Sequence, residues 1–493
     1  MKKVLIFLIC LIGYQIGCHA QMADEHYYFK NLSVQNGLSQ NTVNAILQDK
    51  QGFMWFGTKD GLNRYDGLSF RKFKHDDRTR RSIGNNFITA LYEDAKGNIW
   101  VGTDVGLYIY NPEKDSFRHF AELSAENTKI EHTVTAISGD NKGCVWVAVE
   151  SQGLFCYDLE EGILQNHTLK NFSFISTNVQ SFVFDNSGTL WIGCYGDGLF
   201  YSKDRLQTLH PYVSPVDDQK TYENDVVIGL VKGAYNCLYI GSLKGGVKEL
   251  NLTSNKLHDL LSKDESGESV FCRELVASDN ELWIGAESGL YIYNLRMGKY
   301  VHLRSSINDP YSLSDNAIYS LCKDREGGIW IGSYFGGVNY YPRFYTYFEK
   351  YYPKGTDNGL RGKRVREFCQ DNQGILWIGT EDGGLNRFNP KTKTFSFFTP
   401  SSAFTNVHGL CLIGDHLWVG TFSKGVKVVD TRTGAIVKTY QKTDSPRSLI
   451  DNSVFSICCT TTGDIYLGTL FGLLRYNKQS DDFDRIPELN GRF

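Results

Sequence analysis

A chain of 493 residues would ordinarily divide into about three domains of roughly 150 residues each. Its 52 Lys and Arg against 55 Asp and Glu leave a net charge of -3, so no bulk positive field favours nucleic-acid phosphates or anionic lipid, which argues against nucleic acid as a partner. With 41% hydrophobic and 14% aromatic residues the composition is globular, and 49 Gly beside 30 Phe, 29 Tyr and 8 Trp predicts many short turns joining aromatic-rich strands, an all-β protein.

The first twenty residues read as an address. Lys2 and Lys3 precede an apolar run from Val4 to Ile16, and Cys18-His19-Ala20 offers small residues before Gln21, the pattern of a signal peptide over 1–20. The run is about 13 residues, short of the roughly 20 that span a bilayer. An alternative acylates Cys18, although Gln15 sits where such sites usually carry Leu. The mature chain is therefore expected to be exported and periplasmic. Ten cysteines lie beyond this segment. Because Cys322, Cys369, Cys411 and Cys458 recur seven or eight residues before a repeated aromatic, they read as small core groups, with isolated disulfides left open.

That aromatic organises the rest. Trp55, Trp100, Trp146, Trp191, Tyr239, Trp283, Trp330, Trp377, Trp418 and Tyr466 stand 41 to 48 residues apart, most followed by an apolar residue and Gly, and they include all eight tryptophans. A fixed period of this size marks a repeat architecture. In the second repeat the pattern predicts strands from Ile88 to Glu93, Ile99 to Thr103, Leu107 to Tyr110 and Ser116 to Phe120, separated by an Asp94-Ala95-Lys96-Gly97 turn, a Gly-containing turn and Asn111-Pro112. Four short antiparallel strands per repeat is the signature of a β-propeller blade. The recurrent Trp is expected to pack between blades, the Gly two residues later to allow close approach near the axis, and the Asp-x-x-Gly turns to be structural, since they lack the alternating oxygens of a calcium loop.

The opening Phe29 to Val43, running into Gln48 through Tyr65, resembles the two-component regulator propeller repeats. The resemblance covers essentially the whole mature chain. It implies the exported sensor region of a Bacteroides-type hybrid two-component system, in which two seven-bladed propellers precede a β-sandwich, an inner-membrane helix and a histidine kinase. It further implies an oligosaccharide ligand, with the kinase, the β-sandwich and remaining blades as partners, and a second copy of the chain as a further candidate. Two similar stretches, Tyr28 to Val43 and Phe344 to Val365, bracket seven repeats. The expected division is a seven-bladed propeller over 24–342 and three blades of a second, incomplete one over 343–493, although Arg343 to Tyr351 could instead be the outer strand of blade seven. The chain is then a fragment of a longer frame or a natural truncation.

No catalytic pattern emerges. The 11 His lack metal-ligand spacing, Gly-x-Ser-x-Gly is absent, and Gly193 to Gly198 joins two strands, so it is no dinucleotide loop. No cofactor, metal or catalytic residue is expected. Specificity is expected in the loops between second and third strands, which vary while the frame repeats. Their candidate ligand-binding residues are Lys59, Asp60, Asp104, Glu150, Tyr195, Asp197, Lys244, Glu287, Tyr334 and Phe335. Aromatic groups there could stack on a sugar face while charged groups bind hydroxyls or acidic substituents. Solvated turn residues are the plainer alternative, and a free-standing secreted propeller, acting as a scaffold or a polysaccharide hydrolase or lyase, is the rival function. The connections Asp309 to Asn316, Asp444 to Asn452 and Ser82 to Asn86 repeat a Ser and an Asn four apart, which predicts side-chain to backbone hydrogen bonds.

Overall fold

The computed structural model describes residues 27–122, 130–140, 142–167, 178–214, 222, 225–343, 348–355, 358–398 and 403–486. The signal segment and Cys18 lie outside them. Ten four-stranded antiparallel sheets follow one another along the chain. By first and last strand residue they cover 43–73, 88–119, 134–167, 179–211, 227–261, 272–303, 318–341, 365–397, 407–440 and 454–485, here sheets 1 to 10. All but sheet 7 are meanders of four consecutive strands, as in Ile88–Glu93, Ile99–Thr103, Leu107–Asn111 and Ser116–His119. Two compact units result, 1–346 with sheets 1 to 7 and 347–493 with sheets 8 to 10.

Sheet 7 takes its fourth strand from the start of the chain. Lys30–Leu32 pairs antiparallel with Val338–Tyr341, Lys30 opposite Tyr340 and Leu32 opposite Val338. Trp330 of sheet 7 then lies 5.6 Å from Phe56 of sheet 1, which closes the first unit into a ring of seven. The Val338–Tyr341 edge is covered there, and a long open edge is what invites pairing with another chain.

The second strand of each blade explains the recurrent aromatic. In sheets 1, 2 and 3 it is buried along its whole length, because both faces are covered by neighbouring sheets. Each Trp reaches across to the following sheet: Trp55 to Tyr110 at 5.3 Å, Trp100 to Tyr157 at 5.6 Å, Trp146 to Phe184 at 5.6 Å. The ring nitrogen is also satisfied. Trp55, Trp100, Trp146, Trp191, Trp330 and Trp377 donate Nε1–H to the turn Asp six residues earlier, at 2.7 to 3.0 Å. The same Asp accepts backbone N–H groups of its own turn, as Asp49 does from Gln51 and Phe53. Where Tyr replaces Trp, at 239 and 466, the residue six earlier is Gly233 or Thr460 and no such carboxylate is present. Trp283 has Ala277 at that position and turns instead to Glu281.

The Gly two residues after the aromatic faces the first strand of the next sheet. A Cβ on Gly102 would sit 2.6 Å from Val134 Cγ1, and one on Gly57 2.5 Å from Ile88 Cγ2, so a side chain would force neighbouring blades apart. Opposite this Gly every innermost strand carries a β-bulge, from Val43/Ala45 through Val454/Ser456. The bulge re-aims the second residue of the strand.

Among the described residues the cysteines are free thiols. Cys322, Cys369, Cys411 and Cys458 each stand directly opposite the blade aromatic. The first three are partly covered and burial pushes the Cys322 thiol up to about 12, whereas Cys458 on sheet 10 is exposed rather than a core group.

Candidate functional site at the channel mouth

One backbone hydrogen bond per blade sets the position of the variable loops. The first loop residue after the second strand donates its N–H to the carbonyl just before the first strand: Lys59 to Thr42, Asp104 to Phe87, Glu150 to Thr133, Tyr195 to Asn178, Leu243 to Val226, Glu287 to Phe271 and Tyr334 to Ala317, at 2.8 to 3.3 Å. All seven loops of the first unit therefore gather where the innermost strands begin, at one end of the ring. Two connections that enter this end, and one in the second unit, are pinned by side chains. Ser82, Ser312 and Ser448 hydroxyls accept the N–H of Asp76, Ser306 and Thr443, and Asn86, Asn316 and Asn452 carbonyls accept those of His75, Ser305 and Lys442.

Four of the ten expected residues come together. Lys59 Nζ lies 2.7 Å from the Tyr334 hydroxyl and 4.1 Å from its ring centroid, and 5.7 Å from the Phe87 ring. Tyr334 stands edge-on to Phe335 at 4.5 Å and tilted against Tyr319 at 5.0 Å. Arg273 sits 4.9 Å from the Tyr319 ring and gives Nε–H to Glu287 Oε1 at 2.7 Å, with Nη2 on the same carboxylate. Each cation–π contact is worth about 0.5–2 kcal/mol. Together they fix a wall of three rings bounded by an amine on one side and a closed guanidinium–carboxylate pair on the other. Phe335 is 72% exposed, an aromatic face turned to solvent.

The remaining candidates are distributed around the ring. Asp60 is paired with Lys74. Asp104 and Glu150 stand on sheets 2 and 3, where buried Asp104 Oδ1 accepts no hydrogen bond among the described residues. Tyr195, Asp197 and Lys244 belong to sheets 4 and 5, Tyr195 exposed and Lys244 N–H donating to Asp225 at 3.0 Å. Tyr195 thus shares the mouth with Tyr334 and Phe335 without touching them.

The sequence reading missed Arg273, Tyr319 and Phe87. Arg273 and Tyr319 occupy the bulged second position of the innermost strand, which reads Asn44, Thr89, Thr135, Gln180, Ile228, Arg273, Tyr319 around the ring. In the early blades this residue bonds to the next blade, Asn44 to Ile88 O, Thr89 to Val134 O and Thr135 to Val179 O. Two large polar side chains breaking that series were the available signal. Burial raises the Tyr319 phenol, with the Arg273 charge pulling the other way.

Glu274 breaks a second series. The third position is Ala45, Ala90, Ala136, Ser181, Gly229 and Ser320 in the other six sheets of the ring. Half-buried, its carboxyl is pushed up to about 7 by desolvation, against the Leu275 N–H it accepts at 3.0 Å, and no cation pairs with it among the described residues. A carboxyl raised in the folded state favours folding while protonated, so that contribution is lost as pH rises from about 4.3 toward 7. Glu274→Gln is therefore expected to melt higher than the wild type at pH 8 and to lose that advantage near pH 4, measured by thermal unfolding at both.

A ring of four-stranded sheets with its variable loops gathered at one mouth defines a β-propeller. Five segments, 37–60, 82–105, 173–196, 312–335 and 359–382, match the two component regulator propeller model, each ending on the loop after the second strand, and the chain carries the repeats of that family. Histidine kinase P4 of Formosa agariphila is 32% identical over 83 residues, which is 17% of this chain and 6% of that kinase. In structure the chain is similar to the extracellular domain of the putative hybrid two component system BT3049 from B. thetaiotaomicron, with TM-score 0.64, 24% identity, and 94% of this chain against 67% of that one. The extracellular domain of the putative one component system BT4673 from the same organism gives TM-score 0.55 at 19% identity, over 94% of this chain and 68% of that one. No helix among the described residues is long and apolar enough to cross a membrane.

Proposed function

We propose that the chain is the extracytoplasmic sensing part of a hybrid two-component system, and that the mouth of its first ring binds an oligosaccharide. The observation that carries this reading is the fixed aromatic wall of Tyr319, Tyr334 and Phe335 beside Lys59. Sugar rings present a C–H face to aromatic side chains and hydroxyls to amines and carboxylates, and a rigid wall limits the entropy lost on binding. The ligand then controls a histidine kinase in another part of the protein, through the family's arrangement of exported propellers and an inner-membrane anchor. Sensing is favoured over catalysis because the mouth offers positioned contacts while the Glu287 carboxylate is held in an ion pair by the Arg273 guanidinium.

The test is a thermal-shift panel of oligosaccharide fragments against the exported chain. At a hundredfold excess over Kd a cognate fragment adds about 2.7 kcal/mol of stability. We expect at least one fragment to raise the melting temperature and Tyr334→Ala to abolish the shift with the fold intact. A flat panel counts against oligosaccharide sensing, and turnover of a fragment would favour the hydrolase or lyase reading.

A further inference from the structure

The second unit repeats the site construction of the first with a different chemical outcome. Sheets 6 and 8 carry Arg-Glu at the same two positions of the innermost strand, Arg273-Glu274 and Arg366-Glu367. Both place a Glu first in the loop after the second strand, Glu287 and Glu381, and the Glu381 N–H reaches Arg364 O at 2.9 Å as Glu287 N–H reaches Phe271 O. On the following sheet the bulged residue is aromatic in both, Tyr319 and His408, and so is the first loop residue, Tyr334 and Phe422. His408 lies 5.9 Å from Phe422 with the rings tilted, as Tyr319 lies against Tyr334. Phe455 of sheet 10 adds a third ring, 5.3 Å from His408 and 5.9 Å from Phe422.

The charges differ. In the first unit Arg273 spends both arms of its guanidinium on Glu287. In the second, Arg366 gives Glu381 one hydrogen bond, from Nη2 at 3.0 Å, and Arg364 stands 3.8 Å from the same carboxylate with its side chain 73% exposed. Two guanidinium groups thus share one carboxylate. The neighbouring Asp382 is already engaged by the backbone N–H groups of Lys363 and Arg364, which hold it below the ordinary carboxylate range. Burial and then the Arg366 charge lower the His408 pKa, so the imidazole is a neutral ring at neutral pH.

We propose that the mouth of the second unit is a second ligand site, for the anionic ring of an acidic sugar. The open guanidinium donors of Arg364 and Arg366 take its carboxylate or sulfate, and Phe422, Phe455 and His408 form the stacking wall. The proposal rests on the reading of these loops as recognition faces, but on residues of the second unit alone. A charge-assisted hydrogen bond contributes about 1.5–3 kcal/mol, which is roughly ten- to hundredfold in affinity, the lower end applying to exposed donors.

Saturation-transfer NMR on the exported chain with methyl β-D-glucuronide and methyl β-D-glucoside at millimolar concentration tests it. The glucuronide is expected to bind about tenfold tighter. Arg366→Ala should reduce it to the glucoside level, Phe422→Ala should weaken both, and Leu68→Ala, at an exposed turn of the first unit outside either wall, should change neither. Near-UV circular dichroism checks that the exposed-site variants remain folded. Equal binding of the two glycosides, no binding of either, or glucuronide binding that survives both Arg366→Ala and Phe422→Ala overturns the proposal. Binding abolished by Tyr334→Ala alone overturns it too, while leaving the first-ring site standing.

Discussion

A chain that begins at Val43 is expected to lose the cooperative fold of its first unit. The segment it lacks supplies the strand Lys30–Leu32 that completes sheet 7, and it buries Phe29, Leu32 and Leu38 to 5% exposure or less. Each such side chain contributes about 1.5–3 kcal/mol, so the loss approaches the roughly 5–15 kcal/mol by which a whole domain is stable. The deletion also bares the Val338–Tyr341 edge, a template for pairing with other chains. Thermal unfolding and light scattering, against a chain lacking only residues 1–26, should show a lower or lost transition and concentration-dependent aggregation. A peptide of residues 27–42 added in trans should restore part of the transition, because strand addition to an open edge supplies the missing backbone bonds. A truncated chain melting within a degree or two of its comparator would mean that closure contributes little.

This closure was partly legible in the residues. The likeness of Tyr28–Val43 to Phe344–Val365 pointed to an outer strand, but pairing between segments some 300 residues apart carries no local signal, and Arg343–Tyr351 competed for the same role. The blades themselves were legible because their constraint is local and repeated. The between-blade aromatic recurs in every repeat, with the turn Asp and a buried second strand in most of them, so the copies corroborate one another. The mouth was legible by position and illegible by contact. Lys59, Glu287, Tyr334 and Phe335 could be placed on the right loops, yet whether Lys59 meets Tyr334 depends on sheets 7 and 1 being neighbours, a consequence of closure. Arg273 and Tyr319 escaped because the bulge that turns them into the mouth leaves no mark in a single strand, only in the series of ten.

The link between the Asp turns and the tryptophans could have been read from the sequence, because Asp at six residues before Trp is present in six repeats and absent from both Tyr repeats. It carries the largest single-residue effect expected here. Asp94 is 1% exposed and accepts Trp100 Nε1–H at 2.9 Å, the Asn98 backbone N–H at 2.9 Å and the Asn98 amide. Asp94→Ala leaves the indole N–H and a turn N–H buried without partners, at about 1–3 kcal/mol each. The expected loss is about 2–4 kcal/mol, read as a fall in unfolding free energy. Asp94→Asn keeps one acceptor oxygen and should lose less. Trp100→Phe removes the donor, so Asp94→Ala should cost less in that background than alone, with a coupling of about 1–2 kcal/mol in a double-mutant cycle. Strict additivity would show that the bond contributes nothing and that Trp100 acts only by packing. In sheets 3 and 4 hydrogen bonds outweigh burial and hold the equivalent Asp140 and Asp185 below the usual carboxylate range. A carboxylate depressed in the folded state stabilises it above the unfolded pKa of about 3.9 and loses that contribution as pH falls below it. Wild type should therefore lose stability in acid as these clamps protonate, and Asp185→Asn should show a shallower acid limb than wild type between about pH 4 and 2.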